Sequence, residues 1–287
     1  MPPKSIVIGC TGFIGRHFYH HLQNYYPDII GTDRRGKTAL DLKNPQLTFD
    51  VGGHSWAIIA TGYATPKRCY DDYSLCRQLD LDGVVNLSKQ LVDKGIIPVI
   101  FSTSQVFDGS QSLYYPESKT SPVNLYGVIH AEREERLLEE LKGRCLILRL
   151  CRVYAANGGT VLDIITELMQ RGEITAATDQ ILQLVNIEEV MAAIFALQSA
   201  NKRGIYQISP EDSVSRYEMA CYIAQELGVS VSNVKKITMS DIDNIPRPKC
   251  AFLASCYNVQ SWKEGVDQVV KQYRKIALGK CQESFSR

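Results

Sequence analysis

The 287-residue chain has no surplus of either charge, since 32 Lys and Arg stand against 31 Asp and Glu for a formal +1. That balance removes the electrostatic reason to expect nucleic acid or an anionic membrane as a partner. No stretch approaches the roughly eighteen consecutive apolar residues that a spanning helix requires. The nine cysteines (Cys10, Cys69, Cys76, Cys145, Cys151, Cys221, Cys250, Cys256 and Cys281) include no CxxC pair and are odd in number. They therefore make no disulfide framework and are expected to be mostly buried thiols in a reducing compartment, which for this chain is the cytoplasm. A GxSxG elbow and an HExxH helix are both missing, which leaves a hydrolase triad or a zincin without support. His17, His20 and His21 share one helical stretch, but no cysteine or carboxylate completes a metal site, so no metal is expected.

What is present is ordinary globular usage, 45% hydrophobic and 22% charged, long enough for one large α/β domain or a core with a smaller cap. The first 150 residues alternate β-branched runs with helical patterns, the signature of a doubly wound parallel sheet covered on both faces. Strands are expected at Ser5 to Ile8, Asp28 to Thr32, Trp56 to Ala60, Pro98 to Ser102 and Cys145 to Leu150, without strict alternation because both faces are buried. Ile14, Phe18, Leu22 and Tyr25 recur at helical spacing, as do Leu81, Val84, Val85 and Leu91. A helix between Asp41 and Trp56 is disfavoured by Pro45 and the pair Gly52-Gly53. Later helices are expected over Val161 to Met169, from the cap Asn186 to Ser199, from Ser213 or Ser215 to Gly228, and around Val266 to Val270, with a strand at Ile205 to Ile208.

The first strand runs into Gly9-Cys10-Thr11-Gly12-Phe13-Ile14-Gly15 and then directly into a helix. Glycines at this junction allow a tight turn, let backbone N–H groups approach a pyrophosphate and let the helix pack close to its strand, while the helix N-terminus favours negative charge. About twenty residues on, Asp33 stands at the end of the second strand, where a carboxylate accepts hydrogen bonds from an adenosine ribose. Arg34 and Arg35 follow it and would suit a 2′-phosphate instead, so NAD and NADP both stay open.

With that loop, Ser102-Thr103-Ser104-Gln105-Val106-Phe107-Asp108-Gly109, Ser121-Pro122-Val123-Asn124-Leu125-Tyr126-Gly127, Arg149 to Tyr154, Asn186 to Val190 and Arg247-Pro248, nearly the whole chain resembles the extended short-chain dehydrogenase/reductases. Within them it resembles the dTDP-4-dehydrorhamnose reductases. The resemblance implies a Rossmann-like sheet with a smaller mixed α/β C-terminal substrate-binding region. Residues 1–155 would form the NAD(P)-binding domain, completed by 181–209, and residues 156–180 and 210–287 the substrate cap. It implies hydride transfer between a nicotinamide and a ketone on a nucleotide-linked sugar, with Tyr126 as general acid and Thr103 binding the carbonyl oxygen. Ser102 and Ser104 are the neighbouring hydroxyls that would substitute for it.

In the family a lysine four residues after the tyrosine lowers its pKa and holds the nicotinamide ribose. Here the helix reads Tyr126-Gly127-Val128-Ile129-His130. Spacing of four keeps both side chains on one face, but an imidazole with an ordinary pKa near 6.5 is mostly neutral at pH 7. Three roles stay open for His130: a working replacement, charged or bridged by water to the ribose; the mark of a protein that binds cofactor and transfers hydride poorly; or a packed or surface residue. Asp80 departs too, where the family often carries asparagine.

Ala60, Thr61, Gly62 and Tyr63 end a central strand, where open α/β sheets bind ligands. Asp41 with Leu42 resembles the family's adenine-contacting position and reads equally as a turn. Arg152, Tyr154, Arg247, Lys67 and Arg68 offer donors to a nucleotide diphosphate, or simple surface ion pairs. The run Glu132-Arg133-Glu134-Glu135-Arg136 reads as an exposed, self-paired helix face. The leading expectation is an NAD(P)-dependent reductase of a nucleotide-linked keto-sugar, with epimerisation or dehydration as variants and a homodimer as the family's habit. Its rival is a cofactor-binding regulatory or scaffold subunit with a protein partner. The family includes such a case in the regulatory subunit of methionine adenosyltransferase, expected to share only its fold with this chain.

Overall fold

The computed structural model describes residues 1–36 and 38–285, with side chains described as far as Ile276. The side chain of Cys281 lies outside the described residues. In chain order the elements are β1 (Ser5–Ile8), α1 (Phe13–Gln23), β2 (Gly31–Thr32), β3 (Trp56–Ile59), α2 (Pro66–Asp71), α3 (Tyr73–Arg77), a π-helical turn Gln78–Gly83, α4 (Val84–Asp93), β4 (Ile97–Thr103) and α5 (Leu125–Glu140). Then come β5 (Leu146–Leu150), β6 (Arg152–Ala155), β7 (Gly158–Gly159), α6 (Thr160–Arg171), β8 (Ile174–Ala177), β9 (Ile181–Leu182), β10 (Leu184–Asn186) and α7 (Ile187–Ser199). The last are β11 (Gly204–Ile208), β12 (Val214–Ser215), α8 (Arg216–Leu227), β13 (Val234–Ile237) and α9 (Trp262–Phe285).

Contacts divide the chain into two units. The first comprises Met1–Leu150, Val190–Ile208 and Ile245–Cys256. It holds a six-stranded parallel sheet in the order β11-β5-β4-β3-β1-β2. Ile6 and Ile8 of β1 share a cluster with Ala57, Ile59, Leu87, Leu91 and Ile129, while Phe101 of β4 meets Phe18 of α1, which in turn meets Phe195 of α7. Both faces of the sheet are therefore covered, the physical reason its strands read as continuous apolar runs. The expected second strand shrinks to Gly31–Thr32, because Ile29 N donates to the Tyr26 carbonyl at 3.1 Å in the turn that precedes it; beyond the strand, Thr38 Oγ1 donates to the Gly31 carbonyl at 2.8 Å and Leu40 N to that of Asp33 at 2.8 Å. No helix forms between β2 and β3 among the described residues.

The second unit comprises Cys151–Glu189, Ser209–Asn244 and Tyr257–Arg287. It is built from short pairings, β6 with β10 and β7, β8 with β13, and β9 with β12. Its core joins Tyr154, Val161, Ile164, Leu168, Met219, Ile223, Trp262 and Val266. Ser215 caps α8 in a capping box with Glu218, and Gly228 ends that helix in the left-handed region at φ 74°. Among the described cysteines all are free thiols: Cys69, Cys76 and Cys145 are buried, Cys10, Cys151, Cys221 and Cys250 are half-buried, and Cys256 is exposed. No helix among the described residues is long and apolar enough to cross a membrane.

Candidate functional site

The strand order reverses between β1 and β3, and their carboxyl ends lie side by side in the first unit, with Ala60 N donating to the Ile8 carbonyl at 2.8 Å. Chain reversal of this kind opens a crevice for ligands at that end of the sheet. Gly9 takes a φ of +84°, which favours glycine, and its carbonyl accepts the Gly12 N–H at 3.0 Å. A Cβ on Gly15 would overlap the Gly9 carbonyl oxygen, so glycine there is what brings α1 down onto the loop. No side chain caps α1, and its first turn holds no acid. Its leading N–H groups, beside exposed Thr11 and half-buried Phe13 and Ile14, are left for an anion.

Asp33 follows β2 and raises the Cys10 thiol pKa, second to burial, so its charge faces the glycine loop. Its Oδ1 accepts the Arg35 N–H at 2.7 Å, and Arg34 is exposed. Asp41 is exposed and accepts the Lys43 N–H at 3.0 Å, a turn contact, while the Leu42 carbonyl packs where a Cβ on Gly83 would lie. Past β3, Thr61 and Tyr63 are half-buried and Gly62 is exposed. Among the described residues the buried hydroxyls of Thr32, Thr61 and Ser102 have no hydrogen-bond partner. Orphaned donors at three strand ends, an uncapped helix and a glycine cradle fit a dinucleotide, which would satisfy them.

Thr103 closes β4, and its Oγ1 accepts the Gln105 N–H at 3.2 Å without committing the hydroxyl's own proton. Ser104 is half-buried beside it, in the short turn Ser104–Val106. A Cβ on Gly127 would overlap the Gln105 carbonyl oxygen, so α5 lies directly on that turn and brings Tyr126 to the end of β4. Asn124 caps α5 through the Gly127 N–H at 2.8 Å and donates to Gln105 Oε1 at 2.9 Å and the Pro246 carbonyl at 3.0 Å. The same residue thus ties the segment carrying half-buried Arg247 to the head of the tyrosine helix. Arg247 Nη1 donates to the Ile245 carbonyl at 3.1 Å. Arg152 is exposed and belongs to the second unit.

His130 is 8% exposed, and its ring centroid lies 4.4 Å from that of Tyr126. Its Nδ1 is 2.7 Å from Nη2 of Arg133. A guanidinium can only donate, so Nδ1 accepts and the proton of the imidazole resides on Nε2. Burial first, and the neighbouring guanidinium second, push the His130 pKa well below its ordinary value; the ring is neutral and is not the missing cation.

That correction extends to the charged run. Arg133 and Glu134 are each 3% exposed. Arg133 Nη1 donates to the Asp80 carbonyl at 2.8 Å and Nη2 to that of Phe101 at 2.5 Å. Glu134 takes Arg149 Nη2 at 2.7 Å, while Glu132 pairs with Arg77 and Arg136 with Asp82 and Glu140. The ion pairs of this run go to residues outside it, and i, i+4 spacing from buried Ile129 and His130 turns 133 and 134 inward. Asp80, 2% exposed, accepts the Tyr63 N–H at 3.0 Å and the Ala64 N–H at 2.8 Å, which fixes the loop after β3. Burial raises its pKa, and Arg133 is the largest opposing influence.

Of the weaker candidates, Lys67 pairs with exposed Asp71 at 3.2 Å, and Arg68 stacks on the Tyr63 ring at 4.9 Å. Tyr154 is fully buried in the second unit's core, its hydroxyl 3.4 Å from Gln260 Nε2. It is a packing residue and not a phosphate contact. Sequence alone does not reveal Arg133, the bridging function of Asp80 or the tie made by Asn124. The one signal for Arg133 is its position seven residues after Tyr126, on the same helix face.

The chain matches the model of the RmlD substrate binding domain over residues 4–276. It is 26% identical over 268 residues to the methionine adenosyltransferase 2 subunit beta of Bos taurus, covering 87% of this chain and 80% of that protein. The likeness to that subunit therefore extends beyond the shared fold expected from sequence. The dTDP-4-dehydrorhamnose reductase of Bacillus anthracis, solved with NADP, superposes with a TM-score of 0.82 at 22% identity, over 95% of this chain and 100% of that one. The dTDP-glucose 4,6-dehydratase of Streptomyces venezuelae, solved with NAD, gives 0.77 at 19% identity, over 94% and 97%. With the family model spanning nearly its whole length and the parallel sheet in place, this chain belongs to the RmlD substrate binding domain family.

Proposed function

We propose that the chain binds NAD or NADP and reduces a ketone on a nucleotide-linked sugar. The observation that carries this reading is the packing of the helix that bears Tyr126, at Gly127, on the Gln105 carbonyl just after Thr103, with buried Arg133 on the same helix, in the unit that holds the glycine cradle. Gly9 to Gly15 would take the pyrophosphate, Asp33 or Arg34 the adenosine ribose or its phosphate, Asp41 and Leu42 the adenine side, and Ala60 to Tyr63 the inner face. A reduced nicotinamide, when bound, supplies hydride chemistry toward the carbonyl carbon. Thr103 donates a hydrogen bond to the carbonyl oxygen, and Tyr126 delivers the proton that completes the alcohol. Arg247, in the same unit as Tyr126, is the proposed diphosphate contact, since guanidinium offers paired donors to phosphate oxygens.

The test is NADH and NADPH oxidation with a dTDP-linked 4-keto-6-deoxyhexose by the wild type and Tyr126→Phe. Turnover by the wild type, lowered about 10²- to 10⁴-fold in Tyr126→Phe, is the expected result for a lost general acid. Dinucleotide binding without oxidation at any pH would overturn the reading.

A second reading is favoured by the likeness to methionine adenosyltransferase 2 subunit beta and by histidine at position 130. In it the chain is a dinucleotide-binding partner of a catalytic subunit. Co-elution with a methionine adenosyltransferase catalytic subunit, strengthened by NADP, would support it; separate elution would end it.

A further inference from the structure

Position 130 holds a neutral histidine, yet the helix face that carries Tyr126 is not without positive charge. Arg133 lies one turn beyond His130 on that face. Its guanidinium donates to His130 Nδ1 at 2.7 Å, to the Asp80 carbonyl at 2.8 Å and to the Phe101 carbonyl at 2.5 Å. The His130 ring lies between Arg133 and Tyr126, edge-on to the phenol at 4.4 Å between centroids. Nε of Arg133 is buried with no hydrogen-bond partner among the described residues. A guanidinium keeps its charge under burial far more reliably than an ammonium, because its intrinsic pKa is so much higher.

The charged groups around it are few and specific. Asp80, from the π-helical turn, and Glu134, from the same helix, oppose the effect of burial on Arg133, and so does Tyr126. Arg68 acts on Asp80 from α2. Glu134 is largely taken by Arg149 through a close two-pronged contact. Asp80 spends its carboxylate on the N–H groups of Tyr63 and Ala64. Neither acid therefore cancels Arg133 by direct side-chain contact, and its field reaches the tyrosine through a thin, neutral imidazole.

We propose that Arg133 is a positioning residue for Tyr126: its guanidinium, fixed on Asp80 and Phe101 and seated against His130, is the positive charge that in a Tyr-xxx-Lys site would stand at position 130. The inference rests on the reductase reading for its use, though not for its measurement. The lysine's two tasks are divided. Arg133 stabilises the phenolate of Tyr126 by its charge, and His130 offers Nε2–H as the donor to a ribose hydroxyl. Asp80 joins the pair to the loop after β3, so the loop and the tyrosine helix are held by one buried chain of contacts.

The experiment is a pH titration of the ligand-free full chain labelled with ¹³Cζ-tyrosine, the Tyr126 resonance being assigned by its loss in Tyr126→Phe. The Tyr126 signal is expected to titrate about 1–3 pH units lower in wild type than in Arg133→Met, the range an adjacent opposite charge produces. Arg133→Lys should keep most of that difference, and Arg136→Leu, which removes an arginine of the same helix that pairs with Asp82 and Glu140, should leave it intact. Coincident titrations of wild type and folded Arg133→Met would overturn the proposal, as would an equal loss in Arg136→Leu. Should Arg133→Met not fold, the double variant His130→Lys with Arg133→Met decides the matter. A Tyr126 titration matching wild type supports interchangeable cations, and an ordinary tyrosine titration near pH 10 overturns them. No sugar enters this readout. A shift without turnover would sink the reductase reading alone, and turnover without a shift would sink this inference alone.

Discussion

Arg133 donates to Nδ1 of His130 across 2.7 Å, and both side chains are buried. That contact fixes the tautomer of the imidazole and, second to burial, keeps it neutral at the position where a Tyr-xxx-Lys site carries its lysine. It also governs the effect of putting that lysine back.

His130→Lys brings a second cation against Arg133 with no new acid to meet it. An uncompensated buried charge costs up to about 3–5 kcal/mol, so urea denaturation should show a loss of that order and turnover should not rise. Adding Arg133→Met to the same chain should recover most of the stability.

Gly15 and Gly12 should separate folding from binding. A Cβ on Gly15 meets the Gly9 carbonyl head-on, whereas one on Gly12 would lie 3.4 Å from it. Gly15→Ala is expected to destabilise the fold by about 1–3 kcal/mol, the usual cost of overpacking. Gly12→Ala should melt like wild type and weaken dinucleotide binding roughly tenfold, about 1.4 kcal/mol, by filling the cradle. Fluorescence titration with NADPH, beside thermal melts, checks both.

Asp108 links pH to stability. The Tyr114 hydroxyl donates to Oδ1 at 2.5 Å, and with Ser110 it lowers the carboxyl from 3.8 to about 2. The fold binds the ionised form, so this contribution is complete above pH 3.8 and fades as pH falls toward about 2. Asp108→Asn should flatten the stability profile within that window and leave neutral-pH behaviour of the remaining carboxylates unchanged, as read by urea midpoints across the acid range.

Arg149→Leu strands the buried Glu134 carboxylate that Arg149 grips at 2.7 Å. A loss of about 3–5 kcal/mol is expected for breaking such a pair from one side. Glu134→Gln with Arg149→Leu should be less damaged than Arg149→Leu alone, by calorimetry.

The glycine loop and the parallel sheet are legible in the sequence because their causes are local. Gly9 to Gly15 sits between a β-branched run and a helical period, and each strand carries its own burial pattern. Thr103 and Tyr126 are legible through motif resemblance, and the structure brings their elements together at Gly127. The charged run of α5 misleads because alternating signs at i, i+3 and i+4 look the same whether partners sit on the helix or across it. Only the fold places Asp80 and Phe101 under Arg133, and Arg149 under Glu134. The strand expected from Asp28 begins only at Gly31, because the chain leaving α1 is still turning at Ile29, whose N–H bonds the Tyr26 carbonyl.

The most direct measurement is the transfer of deuterium from 4-deuterated NADH or NADPH to a dTDP-linked 4-keto-6-deoxyhexose, tracked by mass spectrometry of the sugar in wild type and Tyr126→Phe. The expected result is a reduced wild-type product that carries the label, with little or none from the variant. Intact keto-sugar beside bound dinucleotide, or a converted sugar without label, would contradict it.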